Sequence, residues 1–154
     1  MYPKATASRI RQQFFTIFGQ YMSPVPSSDG EKINWINYRT GIRNIFFRIE
    51  TPNRGCSIGI TITHPVTEVR LKMYERLLAL YPVLEQEPDT TWVAEKDVGD
   101  ENGKPVCRLA DRLEGVSILN ENDWPVIISF LKPRLVALDS FWSMVKPQFD
   151  EFNQ

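Results

Sequence analysis

Residues 32–64 read KINWINYRTGIRNIFFRIETPNRGCSIGITITH, and the rest of the predicted fold is organised around them because apolar alternation, turn residues and arginines coincide there. Three runs alternate with a period of two, the repeat of a β-strand, at 33–36, 45–50 and 58–63. Residues 40–41 (TG) and 52–55 (PNRG) stand between the runs and have the composition of turns. The pattern predicts a three-stranded antiparallel meander.

The alternation also assigns the two faces of this meander, since successive side chains of a strand point to opposite faces. The isoleucine and phenylalanine rows at 45, 47, 49 and at 58, 60, 62 are expected to enter the core. The other face is expected to display Asn44, Phe46, Arg48 and Glu50 beside Ser57, Gly59, Thr61 and Thr63. We expect any binding function to lie on this polar face.

Helical periodicity and turn residues place the remaining elements. An amphipathic helix is predicted for residues 6–22, and a second helix from Pro65 or Val66 to about residue 85. A hairpin turn is expected at Asn102-Gly103, and a bulge or break at Gly115. These turns separate further predicted strands at 91–98, 105–113 and 116–119.

The C-terminal segment predicts a long helix. Its apolar residues recur in steps of three and four, namely Trp124, Ile128, Leu131, Leu135, Leu138, Trp142, Val145 and Phe149. Pro133 lacks the amide hydrogen that would bond to Ser129, so we expect a kink or a restart there. The apolar seam is expected to pack along the sheet, and the alternative is a homodimer interface at Leu138, Trp142 and Phe149.

Together these elements predict one α+β domain spanning residues 1–154, in the order α-β-β-β-α-β-β-(β)-α. The sheet is expected to be mainly antiparallel with five or six strands, and the N-terminal, middle and C-terminal helices to cover one face more than the other. A hydrophobic content of 42% over this length is enough for one core.

Composition argues against several classes of protein. With 18 basic and 19 acidic residues, the chain has no overall positive field to attract nucleic acid or anionic membranes. Cys56 and Cys107 are too few for a disulfide framework or a zinc site, and we expect them to be reduced core residues. No apolar run is long enough to span a bilayer, and the N-terminus lacks the pattern of a signal peptide. We therefore expect a cytoplasmic protein with no membrane partner.

Four blocks of the sequence resemble a known family. They are FFTIFGQYMSPVPS, KINWINYRTGIRNIFFRIE, LEGVSIL and NDWPVIISFLKPRLVALDSFW. They are similar to the bacterial domain-of-unknown-function 4268 family, and the resemblance covers nearly the whole chain. The family has no established activity. The resemblance implies a bacterial context, in which similar domains occur alone or as C-terminal parts of larger proteins whose first domain looks like a nuclease.

The predicted order helix, three strands, helix, strand is also that of restriction-endonuclease-like cores, so a metal-dependent nuclease is one alternative. Such a site needs a carboxylate near the second strand and an acidic-x-Lys triplet on the third. Glu50 suits the first position, but residues 59–63 (GITIT) contain neither a carboxylate nor a lysine. We therefore expect no active site of this kind, and a degenerate relative stays open as an alternative.

Other catalytic devices lack their residues. His64 is the only histidine, and Cys56 lies eight positions away with no oxyanion-hole motif. We expect His64 to end a strand and to bond to the backbone at the start of the next helix. Neither a phosphate-binding glycine motif nor a calcium loop with the required spacing is present. The sequence predicts no catalytic residue, no metal and no cofactor.

The residues favour recognition instead. Arginines interleave with Trp35, Tyr38 and Phe46, a mixture that binds phosphates and stacks on bases, although strand edges also carry arginine for solubility. The candidate ligand or phosphate contacts are Lys32, Arg39, Arg43, Arg48, Glu50 and Thr61. We predict a non-catalytic interaction or accessory domain in bacteria, linked to defence or DNA processing, with a protein partner or a second copy of the chain. The alternative is a nucleic-acid-binding or degenerate restriction-endonuclease-like domain.

Overall fold

A computed structural model describes residues 3–153, and within them the chain forms three α-helices and a four-stranded sheet. The helices are α1 (Lys4–Met22), α2 (Thr67–Leu80) and α3 (Trp124–Val145). The strands are β1 (Ile45–Glu50), β2 (Cys56–Ile62), β3 (Val93–Gly99) and β4 (Pro105–Leu113). Short 3-10 segments lie at Tyr81–Gln86, Glu121–Asp123 and Lys146–Asn153. The predicted α+β class is confirmed.

The strands lie in the order β1-β2-β4-β3, and each neighbouring pair is antiparallel. Because α2 carries the chain from β2 to the far edge, β4 returns between β3 and β2 and pairs with both. The β3–β4 turn contains Gly103 with φ of 76°, and Asp100 Oδ1 accepts the backbone N–H groups of Asn102 and Lys104. The prediction of five or six strands is wrong, since the sheet of the described residues has four.

The first predicted strand, at residues 33–36, is a loop with a turn. Asn34 Oδ1 accepts hydrogen bonds from the backbone N–H groups two and three positions further on, at 3.1 and 3.0 Å. The buried Trp35 side chain donates from its indole to the carbonyl of Val25 at 2.9 Å. Side chains that satisfy the local backbone compete with pairing to a neighbouring strand. The alternation at residues 33–36 therefore arises from one buried tryptophan in a loop and not from a strand. In place of the predicted three-stranded meander, β1 and β2 form a two-stranded hairpin.

Residues 116–119 also form a loop, contrary to the prediction of a strand. The Ser117 hydroxyl donates to the Asn53 carbonyl at 2.7 Å, and the Ser117 N–H donates to Asp123 Oδ2 at 2.8 Å. Gly115 has a φ of 79°, which glycine adopts without a steric penalty. It lies two residues beyond the end of β4, and the predicted break is confirmed.

The helices pack on one face of the sheet. One core cluster joins the β2 residues Ile58, Ile60 and Ile62 to Phe14 of α1, Met73 of α2 and Leu131 of α3. The expected inward direction of the isoleucine row is confirmed. The residues that alternate with it on β2 therefore point to the opposite face.

α3 runs without a break through Pro133, so the expected restart is not found. Leu131 and Leu135 on either side are 0% and 1% exposed. Burial of an apolar face contributes more to helix stability than any single backbone hydrogen bond, so packing on both sides of the proline maintains the helix.

Leu138, Trp142 and Phe149, the residues of the alternative homodimer interface, are 0%, 2% and 0% exposed. They belong to the same core cluster as the isoleucines of β2. The apolar seam therefore packs inside the chain, and it presents no exposed interface at these three residues.

A buried ion pair joins α3 to the sheet. Arg134 Nε lies 2.8 Å from Asp111 Oδ2, and the two residues are 9% and 5% exposed. The same carboxylate oxygen accepts the Thr91 N–H at 3.0 Å, and Arg134 Nη1 donates to the Phe130 carbonyl at 2.9 Å. Because both charges have hydrogen-bond partners, the pair can be retained in the core.

Both cysteines are free and buried, Cys56 on β2 and Cys107 on β4. Burial raises the pKa of the Cys56 thiol to about 11. The expectation of reduced core thiols is confirmed for this structure.

Candidate functional site

The candidate site is the face of the sheet opposite the helices, which we call the open face. Residues that lie opposite each other in antiparallel strands share a face, so the strand register defines three rows. The rows are Phe46-Thr61-Arg108-Glu95, Arg48-Gly59-Ala110-Val93 and Glu50-Ser57-Arg112. The members on β1 and β2 are those that alternation predicts, whereas the members on β3 and β4 follow from tertiary pairing.

Small residues form the floor of the open face. Ser57, Thr61 and Ala110 are 7%, 5% and 6% exposed although the helices lie on the other side of the sheet. Longer side chains flank them in each row. Gly59 approaches β4 so closely that a Cβ would stand 2.6 Å from Ala110 Cα. The centre of the face therefore accepts only glycine without a shift of the backbone.

Arginines and carboxylates alternate across the open face. Glu95 Oε1 accepts hydrogen bonds from Arg108 Nε at 2.8 Å and from Arg112 Nη2 at 2.9 Å. Arg108 Nη1 also lies 3.7 Å from Glu50 Oε1. The hydrogen bond from Arg108 is the main cause that holds the pKa of Glu95 below its ordinary value. These four side chains form a charge-paired ladder.

A groove of about 840 Å³ extends along the open face to the ends of its strands. The charged residues that line it are Arg48, Arg54, Arg108, Arg112, Glu50, Asp100, Glu101 and Glu114. Four arginines thus face four carboxylates, and the formal charge of the lining is zero. A polyphosphate partner needs an excess of positive charge, so this groove suits a ligand that carries both signs.

Arg48 differs from the arginines of the ladder. Its guanidinium carbon lies 5.0 Å from the centroid of the Phe46 ring, which is 42% exposed. Within residues 3–153, no carboxylate lies at ion-pair distance from Arg48. Of the three arginines in the rows of the open face, Arg48 at the edge strand β1 is therefore the one without a contacting carboxylate among residues 3–153.

The six predicted contact residues divide between two regions. Three of them, Arg48, Glu50 and Thr61, lie together on the open face. Lys32 and Arg39 line a separate cleft of about 480 Å³ beside Asp139. Arg43 is exposed, and its backbone N–H donates to Asn153 Oδ1 at 2.8 Å. The structure thus does not bring the six into one site.

The separate cleft is built around a buried carboxylate. Asp139 is 4% exposed and accepts the Tyr38 hydroxyl at 2.5 Å and the backbone N–H of Ser28 at 2.7 Å. Burial, with the neighbouring Asp139, raises the pKa of Tyr38. These bonds tie the loop that leads into β1 to α3, and they give Asp139 a structural role.

Sequence reasoning missed Glu95, Arg108 and Arg112. Arg108 and Arg112 are four positions apart on one strand, a spacing that places them on the same face. That signal was available in the sequence. The sequence did not show that they lie beside Thr61, one of the predicted contact residues, because that position depends on β4 pairing with β2.

His64 bonds to the backbone at the start of α2, as predicted: its Nδ1 accepts the N–H of Val66 at 3.1 Å. Among residues 3–153, no cluster of three or more His, Cys, Asp or Glu side chains is arranged to hold a metal ion. Over the same range, none of the helices combines the length and the apolar character needed to cross a bilayer.

Comparison with known proteins gives one match. The family model described as Domain of unknown function (DUF4268) matches residues 10–146, most of the chain and all three helices and four strands except the first residues of α1. No curated protein and no solved structure matches the chain.

Proposed function

This chain belongs to the family of the domain of unknown function DUF4268, and we propose that it is a non-catalytic interaction domain whose open face binds a polypeptide of a partner protein. It acts in the bacterial cytoplasm as an accessory to a defence or DNA-processing system. The accessory role rests on the family resemblance alone, whereas the polypeptide ligand rests on the chemistry of the open face.

The observation that supports this function is the charge balance of the open face. Its groove is lined by equal numbers of arginines and carboxylates, and the ladder pairs Arg108 with both Glu50 and Glu95. A polypeptide carries charges of both signs, so its side chains can replace the partners in these ion pairs. Contacts between like charges would disfavour other polypeptides. The small residues of the floor leave room for a ligand between the longer side chains.

A nucleic-acid-binding domain is the second candidate, and Phe46 favours it. An exposed aromatic ring with an arginine stacked on it, on an open four-stranded sheet, resembles the surfaces that stack on single-stranded bases. Glu50 and Glu95 in the neighbouring rows would repel phosphates. A degenerate restriction-endonuclease-like domain has less support, because two strands, β1 and β2, precede α2 in the part of the chain that the structure describes, where that core needs three.

Site-specific photo-crosslinking in cells tests the polypeptide proposal. A benzoylphenylalanine residue replaces Val93, which is 49% exposed on the open face, and in a control it replaces Val126 of α3, which is 51% exposed. We expect a discrete protein adduct from position 93 that position 126 does not form, and its loss when Arg108→Glu is added. The same adduct from both positions, or none from position 93, would contradict the proposal.

Titration of fluorescein-labelled single- and double-stranded DNA and RNA, followed by anisotropy, tests the second candidate. We expect no binding at physiological salt. Micromolar binding that weakens steeply with salt and is lost in Arg48→Glu would replace the polypeptide by nucleic acid as the ligand.

A further inference from the structure

β1 is an edge strand, and its hydrogen-bonding direction follows from one bond. The Thr63 N–H donates to the Asn44 carbonyl at 2.8 Å, one step beyond the Ile45–Ile62 register pair. In an antiparallel sheet, the N–H and carbonyl groups of one residue point to one side of the strand, and those of the next residue point to the other side. The even-numbered residues of β1 therefore bond to β2, and the odd-numbered ones direct their N–H and carbonyl groups away from the sheet.

Other groups of this chain satisfy the outward-pointing backbone groups at both ends of that edge. The Ile45 carbonyl accepts the Thr40 hydroxyl at 2.7 Å, and the Ile45 N–H donates to the Ile42 carbonyl at 3.3 Å. Just after β1, the Thr51 carbonyl accepts Arg11 Nε at 2.9 Å.

The middle of the edge is different. The outward groups of Phe47 and Ile49, two N–H and two carbonyl groups, have no hydrogen-bond partner among residues 3–153. Free groups of this kind are the template on which another strand can pair.

The opposite edge, β3, is protected against such pairing. Its register shifts between Glu95 and Val98, and within this irregularity Asp97 has a φ of 48° and bonds to Arg70 Nε at 2.8 Å. Bulges and charged residues are common means of protecting an edge. β1 has a regular register over all of its residues and contains no lysine or proline.

We propose that the β1 edge at Phe47–Ile49 binds an extended segment of the partner polypeptide as an added strand, with an acidic side chain of that segment opposite Arg48. This inference rests on the proposed function and specifies its ligand. A residue opposite Arg48 occupies a non-hydrogen-bonded position, where Cα atoms approach to about 4.5 Å and side chains are closest. Within residues 3–153, Arg48 is the arginine of the three rows that lacks a contacting carboxylate, and an acidic residue of the partner would supply one.

The same geometry disfavours a second copy of the chain on this edge. The antiparallel register that pairs all of the free groups of two β1 strands sets Phe47 opposite Ile49 of the other copy. That register places Arg48 opposite Arg48, and like charges directly opposite each other destabilise a sheet. A second copy would therefore have to use a register that leaves some of these groups unpaired, whereas a different sequence can pair them all.

Selection from a displayed random peptide library on the purified protein tests the inference. We expect enriched peptides to share an acidic residue at one position within a strand-forming run. Amide hydrogen exchange with a synthetic enriched peptide should show new protection at Phe47 and Ile49. Arg48→Glu should weaken the binding of that peptide by about tenfold, which corresponds to about 1.4 kcal/mol, because a like-charge pair replaces an opposite-charge pair. Lys96→Glu, a charge reversal on the exposed β3 edge, is the matched control and should leave binding unchanged.

Each other outcome overturns the inference in a recognisable way. Peptide binding that leaves the amides of Phe47 and Ile49 unprotected, but is abolished by Arg108→Glu, would contradict the edge-strand mode. The proposed function would then still hold. No enriched peptide at all would contradict both. Protection of the two amides that rises with protein concentration alone, with a dimer in sedimentation, would identify the occupant as a second copy. Circular dichroism of each variant confirms that it is folded.

Discussion

Replacing Gly59 by alanine should destabilise this protein, which is the opposite of the usual effect. Gly-to-Ala substitutions at compatible positions stabilise by about 0.4–1 kcal/mol, because the unfolded chain loses conformational freedom. At Gly59, however, the new Cβ would stand 2.6 Å from Ala110 Cα and 2.8 Å from Ala110 Cβ. Carbon atoms attract best at about 3.5–4.0 Å, so β2 and β4 would have to separate by roughly 1 Å.

The expected loss is about 1–3 kcal/mol of unfolding free energy, the range for an overpacked interior. We expect the upper end of this range, because backbone atoms obstruct the Cβ and a rotamer change cannot relieve them. β2 and β4 are also the two central strands, so their separation weakens the middle of the sheet. In a domain of this size each kcal/mol lowers the Tm by about 2–4 °C, so the upper end corresponds to about 6–12 °C.

Urea unfolding followed by tryptophan fluorescence, and thermal unfolding by circular dichroism, measure this change. Ser57→Ala, on the same strand and face, is the control and should lower the free energy of unfolding by less than Gly59→Ala does, because it adds no atom between the strands. Adding Ala110→Gly to Gly59→Ala should restore only part of the loss, since it removes the contact with the Ala110 Cβ but not those with the backbone. A Gly59→Ala protein as stable as the wild type would refute the close approach of the two strands.

Three further predictions concern the buried pair, pH and the thiols. Asp111→Ala should lower the unfolding free energy by about 3–5 kcal/mol, because Arg134 stays buried without its carboxylate, whereas Asp111→Leu with Arg134→Met should recover most of it; urea unfolding of both variants checks this. Glu95→Gln should be less stable than the wild type at pH 7, and the difference should shrink as the pH is lowered below about 4, by the same assay. The pKa of Glu95 is lowered in the folded protein, so its contribution exists above its ordinary pKa of about 4.3 and is lost as the pH falls through the folded value. Iodoacetamide should alkylate Cys56 and Cys107 slowly in the native protein and fast in urea, as seen by mass spectrometry, because burial raises both thiol pKa values.

Alternation in the sequence identified β1 and β2, because the apolar residues that face the helices alternate with mostly polar or small residues on the other face, whereas turn residues identified β4. The bounds of β4 at 105–113 agree with the prediction, since Asn102-Gly103 and Gly115 mark its two ends. The same rule failed at residues 33–36, where Asn34 and Trp35 bond to nearby backbone groups. A short alternating run does not distinguish a strand from a loop whose polar groups are satisfied locally.

The predicted binding residues lie in two different regions of the structure for a related reason. Arg39 and Arg48 are nine positions apart and belong to one arginine-rich stretch, yet Arg39 lies by the cleft of Asp139 and Arg48 on the open face. The loop between them reverses direction before β1 begins, and proximity along the chain does not carry over to proximity in space. The candidate site instead contains Glu95, Arg108 and Arg112, which belong to strands distant in sequence.

The α+β class, the three helices, the inward isoleucine row and the polar side of β1 and β2 follow from the amino-acid sequence, because each depends on side-chain periodicity within one element. The pairing of β4 with β2, the continuity of α3 through Pro133 and the free hydrogen-bonding groups at the edge of β1 depend instead on tertiary packing. Those outcomes depend on free energies summed over contacts between distant residues, where packing on both sides outweighs a local preference. The charge-paired ladder and the free edge, on which the proposed interaction depends, are consequences of strand order.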